Sequence, residues 1–159
     1  MAVNAARMAG EWFNPLAKKD TASSLIEKAK AEQGREERIQ AITNLGNSGD
    51  YGAVKSLIDG CQDKDPEIRR SAIAGLQNLR SGRAAGVLIE RLRDKEELPE
   101  IRQLAAAALA AIRSYRAMQE LRARYADNEE DSALRFFIGG ELHHVQYLVS
   151  PGPGPVSSS

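Results

Sequence analysis

The chain has 159 residues, with 22 basic side chains against 22 acidic ones, 42% apolar residues and 28% charged. That suits one domain or one solenoid array of ordinary soluble composition, and zero net charge removes bulk attraction to nucleic acid or an anionic membrane. A single cysteine, Cys61, excludes an intrachain disulfide framework and a four-cysteine zinc site.

Residues 1–19 read as an N-terminal extension in which Trp12, Phe13, Pro15 and Leu16 stand in small, polar surroundings. Large apolar side chains at a terminus either cap an open core end or anchor a partner, so Trp12 and Phe13 are partner-binding candidates. The extension holds no apolar run long enough for a secretory signal. The longest purely apolar stretch, Leu104 to Ile112, is far short of the ~20 residues that a membrane helix needs. With one thiol and no export signal, the cytoplasm is the expected compartment, and no membrane partner is expected.

Residues 20–149 carry the organised part. Ser24 and Glu27 read as a capping box for a helix ending near Gly34. Beyond it a pattern repeats: arginine, a small or aliphatic residue three positions on, and leucine four further. It occurs at Arg38, Ala41, Leu45; Arg69, Ala72, Leu76; Arg102, Ala105, Leu109; and Arg135, Ile138, Leu142, with arginine spacings of 31, 33 and 33. Offsets of three and seven put the apolar pair on one helix face. Between these helices lie further apolar sets: Ala53, Val54, Leu57, Ile58; then Ala84, Val87, Leu88, Leu92; then Ala117, Met118, Leu121, Tyr125. Each unit is therefore two antiparallel helices of about a dozen residues.

The punctuation agrees. Asp65 and Pro66 supply a cap and a first-turn proline, and Pro99 does the latter for the next copy, although Leu98 is a poor cap. Asp50, Ser114, and Asp131 or Ser132 can cap other helices. Residues 150–159, rich in proline, glycine and serine, bury too little to order themselves.

The segment from Asp63 through Asp65, Pro66, Glu67, Ile68 and Arg69, with Ala72 and Leu76, resembles the HEAT repeat, in particular the short HEAT-like repeats of phycobilisome lyase subunits. Glu100, Ile101 and Arg102, with Ala105, Ala108 and Leu109, repeat it. The resemblance spans residues 35–148 and implies an all-α, right-handed α-solenoid of antiparallel helix pairs: about three repeats plus a capping helix. It also implies a ladder in which Arg38, Arg69, Arg102 and Arg135 meet turn aspartates, with Asp63, Asp94 and Asp127 as the matching residues.

Catalytic residue types are sparse. Cys61 lacks a nearby histidine to lower its pKa and reads as a small core residue. Glu141, His143 and His144 could begin a metal site, but adjacent histidines point about 100° apart and no third ligand is evident. Deoxyhypusine hydroxylase, also built of HEAT repeats, resembles a metal enzyme whose repeats carry His-Glu dipeptides. The residues after the ladder arginines here are Ile39, Arg70, Gln103 and Phe136, so that activity is not carried over. No metal, cofactor or catalytic residue is therefore expected.

Residues 80–95 hold five bases against two acids, and residues 113–124 four against one. Acidic turns offset both, which reads as a solvated face with local ion pairs and disfavours a nucleic-acid partner. The resemblance places the second helix of each repeat on the inner, concave surface. There the first, fifth and eighth positions after each ladder arginine should escape the core: Ile39, Arg70, Gln103, Phe136; Thr43, Ala74, Ala107, Gly140; and Gly46, Gln77, Ala110, His143. Their small residues would either admit a partner's backbone or only tighten repeat packing. The expected function is a non-enzymatic scaffold or adaptor that binds a protein partner, with Arg70, Gln77, Gln103, Phe136 and His143 at its surface. The alternative is a chaperone-like accessory subunit of a lyase or other enzyme complex, or, less favoured, a nucleic-acid-binding HEAT-like protein. Residues 131–148 carry more apolar side chains than one packing stripe needs, so the last helix is a candidate for homo-oligomer formation.

Overall fold

The structure, a computed structural model, describes residues 21–30 and 34–149, with side chains through residue 146. Among these residues every regular element is helical. The helices are α1 (Ala22–Lys28), α2 (Arg35–Asn47), α3 (Val54–Gly60), α4 (Pro66–Leu79), α5 (Ala85–Arg93), α6 (Pro99–Ile112), α7 (Tyr115–Ala126) and α8 (Ser132–Val149). Short 3-10 turns, Tyr51–Ala53 and Gly82–Ala84, lead into α3 and α5.

Local chemistry sets the boundaries. The Asp65 carboxylate accepts the Glu67 N–H at 2.9 Å ahead of Pro66, so the first turn of α4 is both capped and pre-set in φ. Ser114 accepts the Ala117 N–H, and Asp131 accepts the Leu134 N–H at 2.9 Å. Asp50 caps the turn before α3 through the Gly52 N–H. The first helix differs from the capping-box expectation. Thr21 is its cap, accepting the Ser24 N–H at 3.3 Å, and the helix ends at Lys28. At Leu98, which has no side-chain cap, the Glu97 carboxylate accepts the Leu98 N–H instead.

Packing sorts the eight helices into pairs α1–α2, α3–α4, α5–α6 and α7–α8. The helix expected as a cap, α8, closes the array as the second member of the last pair. The second helices also pack directly on one another, α2 on α4, α4 on α6 and α6 on α8, whereas the first helices barely meet. Close packing on one side and splaying on the other makes an α-solenoid whose second helices line the inner surface.

One contact explains the close approach. A Cβ added to Gly46 would lie 2.4 Å from the Gly75 Cα, so α2 and α4 meet backbone to backbone. Gly46 is therefore buried, and Ala110 is buried too, so the eighth-position row is an open surface at only part of its length. At these sites the small residues serve repeat packing.

A continuous core runs along the array through Leu45, Leu57, Leu76, Leu88, Leu109 and Leu121, all fully buried. Tyr125 departs from its expected core role and is 49% exposed. Its counterparts one and two repeats back, Leu92 and Cys61, are fully buried, whereas Tyr125 lies in the last described pair and folds over Gly139.

Candidate functional site

The ladder arginines hold the repeats in register and so shape the inner surface. Each guanidinium donates to a backbone carbonyl at or just beyond the end of its own pair's first helix, and those of Arg38, Arg69 and Arg102 also reach forward to a carboxylate in the next pair. Arg38 donates to the Ala29 carbonyl and pairs with Asp63. Arg69 donates to the Asp63 and Lys64 carbonyls and clasps Glu97 through Nε and Nη2, both at 2.7 Å. Arg102 donates to the Leu92 carbonyl and to Glu130, both at 2.9 Å. Arg135 donates to the Tyr125 carbonyl.

Two expected partners are thus corrected: Glu97 replaces Asp94, and Glu130 replaces Asp127. The reason lies in turn length. Asp63 stands three residues before its helix, whereas Asp94 and Asp127 stand five before theirs. The longer turns carry the glutamate to the arginine. All three aspartates stabilise the turn, Asp63 in addition to its pairing with Arg38, each accepting the N–H two residues on: Asp65, Glu96 and Glu129 at 2.8, 3.0 and 3.0 Å. Burial opposes ionisation of Glu97, but hydrogen bonds from Arg69 and the Leu98 N–H outweigh it and hold the carboxyl below its usual value.

On the inner surface, α2, α4 and α6 frame an open groove of about 480 Å³. Thr43 and Asn47 come from α2, Arg70 and Asn78 from α4, and Glu100 and Leu104 from α6. The Asn78 amide donates to the Asn47 side chain at 3.3 Å, and Arg70 pairs with Glu67 at 3.3 Å. Amides, a hydroxyl and one charge of each sign are groups that hydrogen-bond an extended polypeptide.

Of the expected site residues that the structure describes, only Arg70 faces this groove. Gln103 is half-buried in a separate hollow with Pro99, Asp131 and Ala133. His143 is exposed and lies in another with Arg122, Tyr125 and Leu142. Gln77 is half-buried, and Phe136 stands 86% exposed on α8. Trp12 and Phe13 lie outside the described residues. Asn47 and Asn78 were not singled out from the sequence. The available signal was their shared position nine residues after Arg38 and Arg69.

Cys61 is fully buried, and burial pushes its thiol up to about 12 despite the nearby Arg91. That places it far from the thiolate that nucleophilic chemistry requires. Among the described residues no three His, Cys, Asp or Glu side chains gather closely enough to hold a metal ion. None of the described helices is long and apolar enough to cross a membrane.

Residues 22–98 match the family of HEAT repeats. No curated protein matches the chain. Among solved structures, human deoxyhypusine hydroxylase in complex with glycerol shares the fold with a TM-score of 0.71 over 82% of this chain, at 23% sequence identity. The matched region is 45% of that protein's chain, so the present chain spans under half of its length. This comparison corrects the expectation of a non-enzymatic scaffold. That protein is an enzyme, so the architecture gives no ground for setting the chain apart from enzymes. At that identity the likeness is one of fold.

Proposed function

We propose that the chain is an enzyme-associated subunit, a HEAT-like solenoid that acts in a chaperone-like way by holding a protein component of an enzyme complex in its inner groove. The observation that carries this reading is the groove itself, polar and open, framed by second helices that the arginine ladder fixes in register. Its fold likeness to a hydroxylase supports an enzyme setting. The resemblance of its short repeats to those of phycobilisome lyase subunits makes a cytoplasmic lyase the first enzyme class to test.

The test is affinity purification of the tagged full chain under native conditions, with mass spectrometry and activity assays of the eluate. The proposal expects an enzyme component to co-purify in fixed ratio, with turnover residing in the complex. Turnover by the isolated chain would make it the enzyme itself. Recovery without any enzyme component would remove the proposal.

A further inference from the structure

The loops joining one repeat to the next carry a charge pattern that the fold does not use. Arg80, Ser81, Gly82, Arg83 and Ala84 follow α4, and Arg113, Ser114, Tyr115, Arg116 and Ala117 follow α6. The two junctions share the motif Arg-Ser-x-Arg-Ala, 33 residues apart, the second copy running into the first turn of α7. In the first copy both arginine positions are glycine, Gly49 and Gly52. Because α4 and α6 pack as equivalent helices of adjacent repeats, their C-terminal ends lie on the same edge of the array.

Three observations show that these arginines do not serve the fold. Arg80 and Arg113 hold left-handed backbone, φ 49° and 55°, where Gly49 has φ 71°. A side chain there is strained, and glycine is the ordinary choice. All four arginines are exposed, and their side chains have no hydrogen bond or ion pair within the described residues. By contrast Arg91, Arg93 and Arg124, in the neighbouring helices, are paired with Glu97, Glu120 and Asp127. Finally, an Arg116 Nη1 lies 3.9 Å from where a Cβ on Gly86 would sit, at the start of α5 just beyond Arg83. Like charges from adjacent repeats are thus brought onto one edge, and the N-terminal dipole of α5 adds to their potential.

We infer that this edge is a docking surface for an acidic protein segment, its carboxylates paired with Arg80, Arg83, Arg113 and Arg116. Guanidinium forks match carboxylates in bidentate geometry, and Tyr115, 76% exposed between Arg113 and Arg116, adds the aromatic surface that protein interfaces favour. Zero net charge favours a protein segment over nucleic acid. The acids gathered in the opposite turns, Asp94 to Glu100 and Asp127 to Asp131, cancel the long-range field that steers a polyanion, leaving a short strip. The inference stands on this edge alone and does not depend on the inner groove.

The test uses the full chain with two fluorescent probes, a twelve-residue glutamate-rich peptide and a single-stranded DNA of equal charge, titrated by anisotropy at fixed salt. The parent should bind the peptide more tightly than the DNA. The variant R80Q/R83Q/R113Q/R116Q should keep the parental melting temperature and lose at least tenfold in peptide affinity. A second variant, R80G/R113G, should bind more weakly yet melt higher, because glycine relieves the strained backbone. The inference is overturned if the peptide does not bind, if the glutamine variant binds as the parent does, or if the glycine variant keeps full affinity. DNA binding as tight as the peptide's would replace it with a nucleic-acid surface.

Discussion

Arg102 and Glu130 form the most enclosed ladder pair, their side chains 8% and 2% exposed. Removing the guanidinium strands a carboxylate from which water is excluded, and Arg124, 3.7 Å away, compensates in part. Arg102→Ala should therefore lower stability by about 1–3 kcal/mol in urea unfolding. Arg135→Ala, which gives up only a bond to the Tyr125 carbonyl, should lie below about 1 kcal/mol. Equal effects would mean that the forward carboxylate contributes nothing. Cys61 gives a second prediction. Its thiol has an ordinary value of 9.0 and is pushed to about 12 in the fold. Above pH 9 the unfolded chain loses this proton while the folded chain retains it. Stability contributed by the neutral thiol is thus lost as pH rises from 9 toward 12, at up to about 1.4 kcal/mol per unit. Cys61→Ala should flatten that alkaline slope relative to the parent. An unchanged slope would show the thiol to be water-accessible.

At the scale of elements, glycines on two helices have opposite roles. At Gly46 a methyl group would meet the Gly75 backbone, so Gly46→Ala should push α2 from α4 and destabilise by about 1–3 kcal/mol. Nothing lies within 4 Å of the equivalent point on Gly140, exposed on α8, so Gly140→Ala should stabilise by about 0.5–1 kcal/mol through helix propensity. Thermal melts of the two variants check the sign. The first half of α8 offers another contrast. Phe136 points outward at 86% exposure, while Phe137 packs partly into the core. Phe136→Ser should leave the melting temperature unchanged, and Phe137→Ser should lower it. If sedimentation shows a homodimer of the parent that Phe136→Ser abolishes, α8 is the self-association surface. An unaltered oligomeric state removes that role.

Helix positions were readable because arginine, small residue and leucine recur at helical spacing, and caps such as Asp65 and Ser114 follow local rules that survive folding. The ladder's arginines were readable too. Asp63, the partner of Arg38, was readable with them, but the partners of Arg69 and Arg102 were not, because turns two residues longer exchange aspartate for glutamate without changing the repeat's appearance. Gly46 and Ala110 misled for a related reason. A small residue reads alike whether it opens a surface or closes a helix contact, and only the neighbouring helix decides. The basic stretches were visible as composition, but composition could not tell the paired Arg91 and Arg124 from the unpaired Arg80 and Arg113.

For the whole molecule, three surfaces are separated by the way the repeats stack. Second helices pack closely and form the polar inner groove, the turns within pairs gather the acids, and the loops between pairs gather the unused arginines. The central claim is that the inner groove holds a component of an enzyme complex. Site-specific photocrosslinking tests it most directly, with a crosslinking residue placed at Ala74 in the groove or at the exposed Glu90 on α5 as the control. The account predicts that Ala74 alone yields an adduct with the enzyme component that co-purifies with the chain. Adducts from Glu90 and none from Ala74 would contradict it.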